Sequence, residues 1–419
     1  MTSPTPSAQA PAEVAVDLSW GRSFRHGFPH DFFTWARAEA PLYWHEPTEH
    51  TPGGVGFWVL SRHADALAVM CDPATFSSEE GGTQLDDSHV GGGLLLNHTD
   101  DPRHLRLRSL INRGFTPRMI GRLEQDLAAR AHALLDAVPT GEPFDFVASV
   151  ARELPLQAIC SVLGVPQDDR SELADLVDAA VNAETGEVLG YDFVRRLGAY
   201  GGALIERKRA EPADDILSVI VHARLDDESA PPGGAQLSDV ELKAFFNLLF
   251  PAGAETTNRA IAGGVVALGQ HPEQLAALCS AVAAGDAGAA TVRRAIEEIL
   301  RWTTPSVYKR RTPTRDVELH GRTIRAGDKV TYWEMSANRD EAVFDAPFRF
   351  DIGRDPNPHV TFGFGAHYCL GANLARLELK VMLETLLSRC SGFEVVGEPT
   401  WTVNNRLVGM TCLPLVLHG

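Results

Sequence analysis

The residues best suited to chemistry form four short constellations. The first surrounds Cys369, in Phe362-Gly363-Phe364-Gly365-Ala366-His367-Tyr368-Cys369-Leu370-Gly371. This cysteine stands between a glycine-containing turn and the expected start of a helix, whose N-terminus favours negative charge and lowers a thiol pKa. Backbone N–H groups around Leu370 and Gly371 can donate to the sulfur and tune an attached metal, while the glycines let backbone approach a flat ligand closely. Taken alone, the same residues describe the inert buried cysteine of a helix-capping loop. Cys71, Cys160, Cys279, Cys390 and Cys412 lack metal-type spacing and read as core packing, reduced in a chain with no export signal.

The second constellation is Ala252-Gly253-Ala254-Glu255-Thr256-Thr257. Pro251 cannot donate to the carbonyl of Asn247 and Gly253 loosens the next turn, so a kink is expected. The Thr256 hydroxyl can then bond the carbonyl of Ala252 and widen the groove. An acid beside a hydroxyl there, Glu255 beside Thr256, can form a water-assisted proton relay. On the hexapeptide alone, an exposed Glu and two core threonines is the simpler reading. The third, Glu298-Ile299-Leu300-Arg301, puts an acid and a base on one helix face, where exposed pairs are common and contribute little. In the fourth, Pro102-Arg103-His104-Leu105-Arg106-Leu107-Arg108, His104 and Arg108 share a helix face, as they would in a merely solvated basic helix.

Positioning these groups falls to a helix-dominated chain with a few short strands. Phe57–Leu60 is expected as a strand and residues 62–70 as the helix after it. Helices are expected over residues 104–112, 120–135, 148–163 and 191–209. The clearest helix starts at Ser238, with Glu241 completing a capping box, and runs to about Leu268 before His271-Pro272 stops it. About 30 residues at roughly 1.5 Å each make a rod near ~45 Å. Residues 289–302 form a further helix, residues 317–331 a β-rich stretch, and residues 370–389 a final helix with Leu374, Leu377 and Val381 on one face. Residues 79–97 are glycine-rich and aperiodic and read as a mobile loop.

Hydrophobic residues make up 44% of the 419, ordinary for a large core. Gly91-Gly92-Gly93 and Pro231-Pro232-Gly233-Gly234 are too short for linkers and read as loops. A disordered tail is expected over residues 1–15 and one mainly α domain with small β-sheets over residues 16–419. No apolar run approaches the roughly 20 residues that span a bilayer. The N-terminal stretch lacks the basic start and apolar core of a signal peptide, so a soluble cytoplasmic protein is expected. A net charge of −17 argues against nucleic acid as a partner.

Phe-x-x-Gly-x-His-x-Cys-x-Gly resembles the haem-binding loop of cytochromes P450, and three further segments match that family in its order. Residues 252–257 resemble its oxygen-activation motif, residues 298–301 its Glu-x-x-Arg, and His104 with Arg108 part of its haem-carboxylate clamp. The likeness runs from about residue 20 to the end and implies a single-domain cytochrome P450 fold with haem b as cofactor. It implies Cys369 as the axial thiolate, which in the family pushes electron density onto iron and promotes O–O cleavage. Phe362 is then expected to pack against the loop and limit access to the sulfur, with Gly363, Gly371 and Ala252 also beside the cofactor. Arg311 and His367 complete the clamp begun by His104 and Arg108. Arg354 joins Glu298 and Arg301 in a buried set that supports the cysteine loop.

The reaction so implied inserts one oxygen atom from O2 into a C–H bond, or epoxidises, with electrons from NAD(P)H and protons delivered by Glu255 and Thr256. Peroxide-driven relatives typically carry Arg-Pro in place of that pair. No flavin or iron–sulfur segment is fused to the chain, so ferredoxin and ferredoxin reductase are the expected partners. Arg106, Arg113 and Arg376 are candidates for the docking patch. The substrate is expected to be a hydrophobic small molecule, drawn from lining around Leu95, Leu248, Ala252, Val307 and Val408. Residues 336–341 and 356–359, with Glu rather than Asp at 255, are similar to actinobacterial P450s that oxidise steroid side chains and methyl-branched lipids. A terpene, polyketide or carrier-bound amino acid is the competing substrate class. A haem-thiolate sensor is the non-enzymatic alternative, disfavoured because a sensor has no need of Glu255 and Thr256. A monomer is expected.

Overall fold

The computed structural model describes residues 9–87, 93–181, 191–224 and 236–419. Its helices are α1 (His30–Glu39), α2 (His63–Cys71), α3 (Arg103–Asn112), α4 (Pro117–Gly121), α5 (Glu124–Asp136), α6 (Glu153–Leu163), α7 (Arg170–Val181), α8 (Tyr191–Ala210), α9 (Ile216–His222), α10 (Asp239–Gln270), α11 (Pro272–Ala283), α12 (Ala289–Thr303), α13 (Glu334–Ala337) and α14 (Ala372–Arg389). The strands are β1 (Leu42–His45), β2 (Phe57–Leu60), β3 (Phe76–Ser77), β4 (Phe144–Asp145), β5 (Lys309–Pro313), β6 (Val317–Leu319), β7 (Arg322–Ile324), β8 (Val330–Tyr332), β9 (Gly392–Val395), β10 (Thr400–Trp401), β11 (Met410–Cys412) and β12 (Pro414–His418). They divide into two compact units, the first built from residues 1–92, 262–369 and 398–412 and the second from residues 93–261, 370–397 and 413–419.

The first unit is organised on a sheet of order β1-β2-β8-β5-β3, in which β2 and β8 run parallel and the other neighbours antiparallel. Phe57, Trp58, Val59 and Leu60 are all buried, so β2 is apolar throughout rather than alternating. Phe24, Phe32, Phe33, Phe57, Tyr308 and Trp333 form an aromatic core beside it, with Phe28 stacked on Phe33 at 4.6 Å. Ala10 and Val16 pack against this core, so order begins ahead of residue 16; residues 1–8 lie outside the described residues. The expected β-rich stretch supplies only the β6–β7 hairpin and β8, and the sheet draws its other strands from far along the chain.

The expected mobile loop also needs correction. Residues 79–87 are fastened to β5 and to Lys329 just before β8: Thr312 Oγ1 donates to the Glu80 carbonyl at 2.6 Å, and Lys329 Nζ to the Leu85 carbonyl at 2.8 Å. Asp87 is gripped by Arg310 at 2.6 Å and Lys329 at 2.9 Å, and these cations hold its carboxyl below the usual range against the opposing effect of burial. Residues 88–92 lie outside the described residues.

A polar knot closes this unit. Arg301 Nε and Nη2 each donate to the Glu298 carboxylate at 2.7 Å, with both side chains 0% exposed. Arg301 Nη1 donates at 2.9 Å to the carbonyls of Asn338 and Pro347. Glu298 also accepts from Arg354 Nε at 3.2 Å, Asn357 Nδ2 at 3.1 Å and the Asp351 N–H at 2.9 Å. Removing one member of a buried, multiply bonded pair leaves the other charge stranded.

The second unit holds α3 to α9, the first part of α10, α14 and the sheet β4-β12-β9. The capping box forms: Glu241 Oε2 accepts from the Ser238 N–H at 2.8 Å, and Ser238 Oγ accepts from the Glu241 N–H at 3.3 Å. Pro251 lies inside α10, which continues unbroken past it. The helix expected over residues 120–135 is two, α4 and α5; Thr116 caps α4 and Pro117 starts it, while Gly121 is a poor helix former where it ends. Residues 148–163 likewise split, because Pro155 has no N–H for the Ala151 carbonyl; a π-turn over Val147–Ala151 precedes α6.

Two outcomes follow. Arg301→Ala should lower unfolding free energy by about 3–5 kcal/mol, or prevent recovery of folded protein, as read by denaturant titration. In α14, Glu378 is fully buried with Oε2 lacking a hydrogen-bond partner among the described residues, and burial pushes its carboxyl well above the usual range. The protonated acid is therefore the native form: its stabilisation is complete below about pH 4.5, the ordinary value, and is lost as pH rises toward the raised folded value. Glu378→Gln should flatten the alkaline loss of stability, gaining about 1–3 kcal/mol over wild type at high pH in paired melts.

Candidate active site

The loop carrying Cys369 belongs to the first unit. Gly363 (φ 68°) and Gly365 (φ 71°) take left-handed backbone and reverse the chain. The reversal is closed by the Cys369 N–H donating to the Phe362 carbonyl at 2.8 Å and the Gly363 N–H to the Val360 carbonyl at 2.8 Å. A Cβ at Gly365 would lie 2.8 Å from the Met70 carbonyl, so the loop fits against the end of α2 only without a side chain there. Phe362 is half-buried, 6.2 Å from both the His359 and Tyr368 rings. The Cys369 thiol is exposed.

The polar knot anchors the approach to this loop. Asn338 Nδ2 donates to Thr304 Oγ1 and Thr361 Oγ1, both at 2.9 Å, and Asn338 Oδ1 accepts from the Val360 N–H at 2.8 Å. Glu298, Arg301 and Arg354 hold residues 345–357 just before it. Arg311 is buried in β5, with its guanidinium 5.6 Å over the Tyr332 ring and Nη1 donating to the Arg310 carbonyl. His367 Nε2 lies 3.2 Å from Ser78 Oγ. Val307 (0% exposed) and Val408 (4%) pack inside the aromatic core.

In the second unit, α3 carries His104, buried with Nδ1 3.3 Å from Asp101 Oδ1, and Arg108, whose Nε donates to Asn112 Oδ1 at 3.1 Å. Burial lowers the His104 pKa, helped by Arg108 and opposed by Asp101. On α10, Thr256 Oγ1 donates to the Ala252 carbonyl at 3.1 Å, Ala252 is exposed, and Glu255 is buried. Leu95 and Leu248 are half-buried. Helix α14 begins at Ala372 rather than residue 370; Gly371 is its N-cap, and a Cβ there would meet nothing within 4 Å.

The cysteines sort differently from expectation. Only Cys160 is fully buried, its thiol pushed up to about 12 by burial. Cys71 is exposed at the end of α2, and Cys279, Cys390 and Cys412 are half-buried. Sequence reasoning also missed Arg259, which pairs with Glu255 one turn along α10; the spacing of four was the available signal. Asn338, bridging three segments, carried no local signal at all.

The described residues hold no cluster of three or more His, Cys, Asp or Glu able to bind a metal ion. An exposed Cys369 on a glycine-turned loop offers the single soft ligand that a haem iron takes from such a chain, which fits haem.

The cytochrome P450 family model matches residues 196–415. Cytochrome P450 126 of Mycobacterium tuberculosis is 50% identical over 416 residues, 96% of this chain and 98% of the relative. A methyl-branched lipid omega-hydroxylase of the same species is 39% identical over 402 residues, 91% of this chain and 90% of that one. Among solved structures, the cytochrome P450 PksS of the Bacillus subtilis bacillaene polyketide synthase is similar with a TM-score of 0.85 at 31% identity, covering 97% of this chain and 100% of that one. This chain belongs to the cytochrome P450 family of monooxygenases, whose members bind haem b through a cysteine thiolate.

Proposed function

We propose that the protein is a ferredoxin-dependent monooxygenase that hydroxylates a branched, apolar molecule of the methyl-branched lipid or steroid class. The observation that carries the substrate class is the 39% identity, over nine-tenths of the chain, to a methyl-branched lipid omega-hydroxylase. The 37% identity to a steroid C26-monooxygenase of the same genus supports it. Half-buried Leu95 and Leu248 and exposed Ala252 suit an apolar ligand. A second reading, a polyketide or other carrier-bound substrate, is favoured by the structural likeness to PksS.

In this reading Cys369 holds the iron, and Phe362, Gly363 and Gly371 shape the surroundings of the sulfur. His104, Arg108, Arg311 and His367 hold the haem carboxylates, and Glu298, Arg301 and Arg354 keep the cysteine loop in place. When bound, haem supplies the activation of O2. Thr256 and Glu255 move protons, the hydroxyl from its bond to the Ala252 carbonyl and the carboxylate from its buried position. The protein acts as a monomer in the cytoplasm; among the described residues no helix is long and apolar enough to cross a membrane.

Ferredoxin docking falls to the second unit, where Arg113 follows α3 and Arg376 lies on α14. Arg113 is exposed, whereas Arg106 shares Glu241 with Arg103, which reduces the charge it can offer a partner.

Purified holoprotein should give a thiolate-type reduced carbon monoxide spectrum that Cys369→Ser abolishes. It should show a spectral shift with isopalmitic acid or testosterone, while a shift only with an acyl-loaded carrier protein would select the second reading. Arg113→Glu should slow reduction by ferredoxin about tenfold at low salt, the difference closing at high salt in stopped-flow traces. Equal rates at low salt would refute the docking assignment.

A further inference from the structure

Two buried cations of the first unit share one carboxylate. Arg310 on β5 and Lys329 just before β8 have side chains 3% and 6% exposed, and both pair with Asp87. Arg310 Nη1 donates to Asp87 Oδ1 at 2.6 Å, and Lys329 Nζ lies 2.9 Å from Oδ2, so each oxygen meets one cation. Dehydrated cations are costly unless an anion accompanies them. The Asp87 side chain is itself 42% exposed, so the carboxylate sits at the solvent end of a cationic seat.

Other contacts hold the seat in shape. Arg310 Nη1 also donates to the Gln84 carbonyl and Nη2 to Thr312 Oγ1, both at 3.3 Å. Lys329 Nζ donates to the carbonyls of Leu85 at 2.8 Å and Pro52 at 3.4 Å. Leu85 is buried in the aromatic core, so the chain is fixed two residues before Asp87, which hangs on a short tether. Gly81 (φ 71°) makes room for the guanidinium, since a Cβ there would lie 2.3 Å from Arg310 Nη2. Arg310 Nε is buried with no hydrogen-bond partner among the described residues, so the seat offers more donors than Asp87 takes up. Arg311, next along β5, turns to the opposite face of the sheet over Tyr332, which separates this seat from the haem-carboxylate clamp.

We propose that Arg310 and Lys329 form a carboxylate-binding site, which Asp87 fills at rest as a tethered stand-in and which a carboxylate from solution takes by exchange. The incoming group puts one oxygen on each cation, where Oδ1 and Oδ2 now lie. Asp87 moves into solvent, where its charge is hydrated. One carboxylate leaves as another enters, so neither cation is stripped bare. A tethered group competes at an effective concentration on the order of millimolar, and it weakens a ligand in proportion to the time it occupies the seat. The carboxylate comes from a small free acid or from the acid end of a lipid, and the seat stands whether or not the molecule hydroxylated is a lipid.

The test titrates wild-type, Asp87→Asn and Asp87→Asn/Lys329→Gln holoproteins with sodium butyrate at constant ionic strength, following the melting temperature. Calorimetric titrations with isopalmitic acid and with its methyl ester run alongside. Asp87→Asn should melt below wild type in chloride and be restored by a carboxylate, with a dissociation constant about tenfold below that of wild type. Adding Lys329→Gln should remove the response. Butyrate binding tighter in Asp87→Asn supports the site with a small acid as its ligand. Tightening of isopalmitic acid alone, with its ester unchanged, supports the site with a lipid acid as its ligand. Equal constants in wild type and Asp87→Asn for both carboxylates would make Asp87 a plain anchor and overturn the proposal, as would a response that survives Lys329→Gln. If the double variant does not fold, the comparison of wild type with Asp87→Asn decides alone.

Discussion

The Glu298–Arg301 pair is the constraint on which the first unit depends. Two fully buried charges are expensive to dehydrate, and they persist because every remaining donor and acceptor has a partner. Those partners are mostly backbone groups of residues 338–357, which have little regular structure of their own. The ion pair thus substitutes for a helix or a strand, fixing irregular chain by hydrogen bonds to its carbonyls and N–H groups. Asn338 extends the same device to Val360 and Thr361, one residue before the cysteine loop proper.

A rigid approach matters because the loop itself has few ways to hold its shape. Two left-handed glycines and short backbone bonds make its turn, and the thiol at its end is exposed. A thiolate that must meet a metal from one direction needs its backbone placed in advance, and side-chain packing cannot supply that where the chain has to leave room for a flat ligand. The geometry is therefore carried by the polar knot behind the loop rather than by the loop.

Polarity in α10 follows a different logic. Glu255, Thr257, Asn258 and Arg259 are all buried in the middle of the helix, between the largely apolar runs 244–254 and 260–269. Such a run costs stability, and a helix needing only to pack would carry leucine or alanine there. The internal pairing of Glu255 with Arg259 offsets part of that cost.

Much of this was legible in the chain. The cysteine loop, the Ala252–Thr256 hydroxyl bond, the Ser238–Glu241 capping box and the Glu298–Arg301 spacing are local, set by residues within ten positions of one another, and backbone geometry turns such spacing directly into proximity. The mixed sheet, the anchoring of residues 79–87, the burial of Val307 and Val408 and the reach of Asn338 across three segments were not. Each depends on partners tens to hundreds of residues away, and no local pattern states which distant strand or carbonyl will be adjacent. By itself the sequence determined the family chemistry and singled out Cys369 as the candidate metal ligand. Only the tertiary structure decided which side chains are spent on packing, because burial is a property of the assembled core.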